Sequence, residues 1–68
     1  MDGEIKCIYQ DRGFGFIRID KREDVFFHVR DSYIPDDEFD QRLKFRRVEF
    51  EIEADDNGKK RAVKVRPL

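Results

Sequence analysis

Two short segments, Arg12-Gly13-Phe14-Gly15-Phe16-Ile17 and Val25-Phe26-Phe27-His28-Val29, limit what this chain can fold into more than any other feature. In an extended strand, alternate side chains share a face. Phe14 and Phe16 then point to one side, and Ile17 and Ile19 to the other. Likewise Phe26 and His28 share a face, while Val25, Phe27 and Val29 share the opposite one. Each segment therefore has an aliphatic-leaning face that can fill a core and a second face of flat rings. A register change of one residue exchanges the two sets, so only one of them can be buried. The aliphatic set is the larger, and Val and Ile gain nothing by exposure. The pattern predicts rings outward, left uncovered by the neighbouring glycines. Flat rings on an open sheet face, with Lys and Arg nearby, are what unpaired bases stack on.

The two segments resemble the paired ribonucleoprotein motifs of the cold-shock domain family, Lys-Gly-Phe-Gly-Phe-Ile and Val-Phe-Val-His-Phe. The resemblance extends along the chain. Gly3-Glu4-Ile5-Lys6 is similar to the family's opening strand, Phe50-Glu51-Ile52 to its fourth and Ala62-Val63-Lys64-Val65 to its last. It implies a single all-β domain over residues 1–68, a five-stranded antiparallel Greek-key barrel of the oligonucleotide-binding (OB-fold) type. Two departures stand out. Many members carry a first-strand tryptophan where this chain has Cys7, and many carry an aromatic after the histidine where it has Val29.

Composition agrees with a small closed barrel. Sixty-eight residues, 46% of them charged and 38% hydrophobic, leave room for one small core. A closed barrel lets every strand cover the same interior and leaves no sheet edge exposed. The one cysteine, Cys7, has no partner for an internal disulfide, which suits a reducing compartment. No apolar run reaches membrane-spanning length and no signal peptide precedes the first strand, so the expected location is the cytoplasm. A net charge of -1 argues against coating a duplex by charge alone. Acids cluster at Asp36, Asp37, Glu38 and Asp40 and alternate at Glu49, Glu51 and Glu53. Lys6, Arg12, Arg18 and Arg30 lie nearest the ring motifs, so the charge is expected to divide into a basic ring-bearing face and an acidic remainder.

The expected strands are Glu4 to Tyr9, Phe14 to Ile19, Val25 to Arg30, Arg46 to Glu53 and Arg61 to Arg66. Gln10 to Gly13 and the charged stretch Asp20 to Asp24 read as turns. Asp31 to Phe45 reads as a long connection, in which Pro35 discourages strand and Glu38 to Phe45 has room for one helical turn. In the fourth strand Val48, Phe50 and Ile52 alternate inward, and in the fifth Val63 and Val65 do so. Asn57-Gly58 marks the hairpin between them.

The candidate nucleic-acid contacts are Lys6, Tyr9, Arg12, Phe14, Phe16, Phe26, His28, Phe39 and Lys59. The phenylalanines supply stacking surfaces. His28 is a stacking and hydrogen-bonding neighbour, and a poor metal ligand, since Cys7 is the only other soft ligand in the chain. Lys6, Arg12 and Lys59, with Arg18, Arg30 and Lys60 behind them, offer charge to phosphates. Tyr9 can restore some of the surface lost at Cys7. By the resemblance, Phe39 in the long connection stacks on a base at the end of the ring face, with Tyr33 a weaker candidate. Tyr33-Ile34-Pro35 otherwise reads as a plug over the barrel end.

No constellation supports catalysis. The acids have no nucleophile at useful spacing, and Gly13 and Gly15 precede a strand with no phosphate-binding Lys-Ser or Lys-Thr pair. Neither metal nor cofactor is expected. The expected partner is single-stranded RNA or DNA, bound with low sequence specificity by a monomer that acts as an RNA chaperone or a regulator of transcription or translation. The alternative is a barrel used as an interaction module, free-standing or within a longer protein, that has lost strong nucleic-acid binding.

Overall fold

The computed structural model describes residues 1–20 and 23–68. Of the expected turn from Asp20 to Asp24, positions 21 and 22 lie outside the described residues. Five strands, β1 (Asp2–Tyr9), β2 (Phe14–Asp20), β3 (Glu23–His28), β4 (Arg47–Ala54) and β5 (Lys60–Pro67), close into a barrel in the order β1-β2-β3-β5-β4. Four neighbouring pairs are antiparallel. The barrel closes through a parallel pair, Phe26 beside Arg61 and Phe27 beside Ala62. The barrel and its five strands follow the expectation. The third strand ends earlier than expected, because Val29–Asp31 turns into a short 3-10 helix.

The interior is filled by Ile5, Ile8, Ile17, Val25, Phe27, Val48, Phe50, Ala62 and Val65 from the strands. Ile34, Phe39 and Leu43 from the long connection join them. The aliphatic faces of β2 and β3 are therefore the buried ones, and Ile52 packs partly against the same core. Gly15 explains why glycine sits between the two rings of β2. A Cβ there would lie 2.6 Å from the Cys7 carbonyl oxygen, 2.9 Å from Ile8 and 3.0 Å from Phe27. Its contribution is inward: it makes room for the core beneath β2, rather than uncovering the rings as the sequence suggested.

Two irregularities change which residues face inward. In β1 the register with β2 slips between Ile5 and Cys7. Ile5 and Ile8, three apart, are both buried as a result, and Lys6 lies exposed between them. Such a bulge adds a residue to one strand and re-aims the side chains after it. In β5 Lys64 has a φ of 53°, and the register with β4 slips opposite it. Ala62 and Val65, not Val63 and Val65, consequently enter the core cluster. Val63 is buried outside that cluster, beside Ser32, Tyr33 and Arg61.

The connection from β3 to β4 holds two more 3-10 turns, Asp36–Glu38 and Gln41–Leu43. Asp40 caps the second by accepting from the Arg42 backbone N–H at 2.9 Å, and Arg42 returns its guanidinium to the same carboxylate at 2.8 Å. This pairing holds the Asp40 carboxyl below its ordinary range. Gln41 reaches across to donate to the Ile8 carbonyl at 2.8 Å, fastening the connection to β1.

Candidate nucleic-acid interface

The outer face of β1, β2 and β3 carries four aromatic rings in mutual contact. β2 pairs with β1 so that Phe14 lies opposite Tyr9 and Phe16 opposite Cys7. It pairs with β3 so that Phe14 lies opposite His28 and Phe16 opposite Phe26. Ring centroids follow this register: Tyr9–Phe14 4.9 Å, Phe14–Phe26 5.4 Å, Phe16–Phe26 6.0 Å, Phe14–Phe16 6.2 Å and Tyr9–Phe16 6.4 Å. Phe14, Phe16 and Phe26 are half-buried against one another, while Tyr9 is 46% exposed. The cluster is a preformed apolar surface rather than a set of isolated side chains. Tilted and edge-on contacts of this kind stabilise the rings where they stand.

His28 borders the cluster. Its Nδ1 accepts from the Arg30 backbone N–H at 3.1 Å, which places the ring proton on Nε2 and leaves that N–H free to donate. The ring lies beside Gly13, whose φ of 75° turns the chain back from Tyr9 into β2. Both the Arg12 and Gly13 N–H groups donate to the Tyr9 carbonyl at 3.0 Å, so this turn sits directly against the ring cluster.

The cations divide into engaged and unengaged ones. Lys6 donates to Asp24 at 2.8 Å, and Arg18 approaches the same carboxylate at 3.9 Å. Asp24, unremarked in the sequence, thus holds one of the expected phosphate contacts. Arg12, Arg30, Lys44, Arg46, Lys59 and Lys60 form no ion pair among the described residues. Lys59 lies two positions before Arg61, the β5 partner of Phe26, which places it near the β3 margin of the ring face. The expected separation of charge is therefore incomplete. Glu49, Glu51 and Glu53 on β4 are met by Arg66, Lys64 and Arg61 of β5, so they form a laddered pair of strands rather than an acidic surface.

Phe39 does not join the rings. It is 4% exposed, and its ring meets Phe27 edge-on at 5.7 Å inside the core. The turn at Asp36–Glu38 directs it inward, where it fills the end of the barrel with Ile34 and Leu43. The expectation that it stacks on a base is corrected on that ground. Ile34 supplies the plug expected of its loop, whereas Tyr33 is exposed. Sequence reasoning gave no role to Phe45, which is also exposed. The signal was present in its setting between Lys44 and Arg46-Arg47.

Among the described residues no helix is long and apolar enough to cross a membrane, and no cluster of His, Cys, Asp and Glu has metal-binding geometry. The chain is similar to the major cold shock protein CspA of Bacillus cereus, with 38% identity over 56 residues, 82% of this chain and 81% of that protein. It is equally similar to the major cold shock protein CspA of Bacillus anthracis, with the same identity and coverage. Residues 1–68 match the family described as the 'Cold-shock' DNA-binding domain. The barrel, the ring-bearing strands and these matches agree: this chain belongs to the cold-shock domain family.

Proposed function

We propose that residues 1–68 act as a single domain that binds single-stranded RNA or DNA with low sequence specificity. Bases stack on Tyr9, Phe14, Phe16 and Phe26, with His28 beside them. Arg12, Lys59 and, once released from Asp24, Lys6 contact phosphates. The observation that carries this reading is the contiguous four-ring surface on β1, β2 and β3, with centroids 4.9 to 6.4 Å apart. A π-face is common to every base, so stacking on such a surface tolerates many sequences. Paired bases cannot reach the rings without opening. Binding therefore favours the unpaired form and shifts hairpins toward melting by mass action, without ATP. Such an activity suits an RNA chaperone or a regulator of transcription or translation, working as a monomer. The single free thiol, Cys7, fits a cytoplasmic setting.

The test is a titration followed by Tyr9 fluorescence in a Tyr33→Phe background, using a pyrimidine-rich single strand and its matched duplex. Strong quenching by the single strand and weak quenching by the duplex is the expected result; equal affinity for both excludes stacking. A second reading, an interaction module with little nucleic-acid affinity, is favoured by one observation: Lys6 is already engaged by Asp24. Absence of quenching even at low salt selects that reading.

A further inference from the structure

The connection before β4 ends in Lys44-Phe45-Arg46, and Phe45 breaks two ordinary rules. Its side chain is 66% exposed, and its φ is 72°. That left-handed region suits glycine and disfavours residues with a Cβ. The core does not reward the aromatic, because its ring lies outside the core cluster. Its backbone is nevertheless held firmly. The Phe45 N–H donates to the Ile5 carbonyl at 2.7 Å, and the Ile5 N–H donates to the Arg46 carbonyl at 2.9 Å. An exposed ring is thus mounted on the edge of β1 in a conformation that a glycine would adopt more readily. Non-glycine residues in such conformations concentrate at ligand-binding positions.

The surroundings indicate the ligand. Lys44 Nζ lies 5.3 Å from the Phe45 ring centroid, and neither Lys44 nor Arg46 forms an ion pair among the described residues. Ile5, the residue that anchors Phe45, precedes Lys6 and pairs with Ile17 of β2. Phe45 therefore flanks β1 on the edge away from β2. With strands about 4.8 Å apart, its backbone lies about 10 Å across the sheet from that of β2. Unengaged cations then stand at both margins of the rings: Lys44 beside Phe45 beyond β1, Lys59 and Lys60 where β5 meets β3. A polyanion with flat faces matches this arrangement of ring and charge.

We propose that Phe45, with Lys44, forms an outlying subsite that stacks a further base of a single strand lying across β1, β2 and β3. The inference rests on the reading of the four-ring surface given above. The test uses oligothymidines of about four and about eight nucleotides, lengths within the range one barrel of this type accommodates. The parent protein should bind the longer one more tightly. Phe45→Gly suits the observed φ, so it should fold and melt at the same or a higher temperature. It should lose at least about 5-fold in affinity for the longer strand, the effect of one stacking contact, and almost nothing for the shorter. Lys44→Ala should lower the salt dependence for the longer strand only. If Phe45→Gly binds the longer strand like the parent while Phe16→Ala weakens both lengths, the subsite is overturned and the four-ring surface stands. A parent that binds neither length overturns both. If Phe45→Gly alters only self-association in sedimentation, Phe45 is a contact between copies of the chain and the subsite is likewise overturned.

Discussion

Single side chains in this barrel divide between those that fill its core and those that form the proposed stacking surface, and the two groups should respond differently to substitution. Phe14→Ala, Phe16→Ala or Phe26→Ala removes a stacking surface and should weaken single-strand binding by about 1–3 kcal/mol. Phe50, by contrast, is fully buried in the core, and Phe50→Ala should open a cavity that costs about 3–5 kcal/mol of stability. Chemical denaturation and binding isotherms on the same four variants check this. An unfolded Phe16→Ala beside an intact Phe50→Ala would reverse the assignment of faces. Asp40 makes a different kind of contribution. Its carboxyl is held below the ordinary value of 3.8 by Arg42. The stabilisation is therefore complete above that value and is lost as pH falls through the lowered one. Melting temperature measured from neutral pH down to about pH 2 should fall less steeply at the acid end for Asp40→Asn, which has no carboxylate to protonate. A parallel decline would assign the acid sensitivity to other groups.

Within the strands, the tightest constraint lies under β2. An added methyl at Gly15 would meet the Cys7 carbonyl at 2.6 Å, and a backbone atom cannot swing aside as a side-chain tip can. Gly15→Ala should cost about 1–3 kcal/mol by overpacking and should weaken binding as well, since it displaces the strand that carries Phe14 and Phe16. Thermal melts should show the first effect, and a stability equal to the parent's would mean that β1 and β2 can separate without penalty. This level also shows what the sequence discloses. The alternation in β2, β3 and β4 follows from local chemistry, so Phe27, Val48 and Phe50 are legible as core and Phe14, Phe16 and Phe26 as surface. The slips at Lys6-Cys7 and at Lys64 depend on how neighbouring strands meet, which no single segment records. The first buries both Ile5 and Ile8, and the second accompanies the exchange of Val63 for Ala62 in the core. The inward position of Phe39 escapes the sequence for a related reason. An aromatic in a connection has no alternation to read, and only the 3-10 turns around it decide that it faces Phe27.

At the scale of the whole molecule, the net charge of -1 limits how far affinity can depend on salt. With three to five phosphate contacts and a slope near -0.7 for each, log affinity against log salt should fall with a slope of about -2 to -3.5. Lys6→Ala should reduce that slope by about one contact's share. Asp24→Asn frees both Lys6 and Arg18 and should raise affinity at low salt. Phe26→Ala should lower affinity at every salt concentration and leave the slope nearly unchanged. Isotherms across a salt series separate these variants, and a flattened slope for Phe26→Ala would undo the division between ring and charge. The barrel's closure carries a further consequence. β5 is the last strand in the chain, yet it sits between β3 and β4 and supplies Ala62 and Val65 to the core. The ring-bearing strands come first in the chain, and of the strand residues that cover Ile17, Val25 and Phe27 only Ile5 and Ile8 precede them. The barrel that fixes the aromatics in place is therefore complete only once β5 joins it, as expected of a domain that folds as one unit.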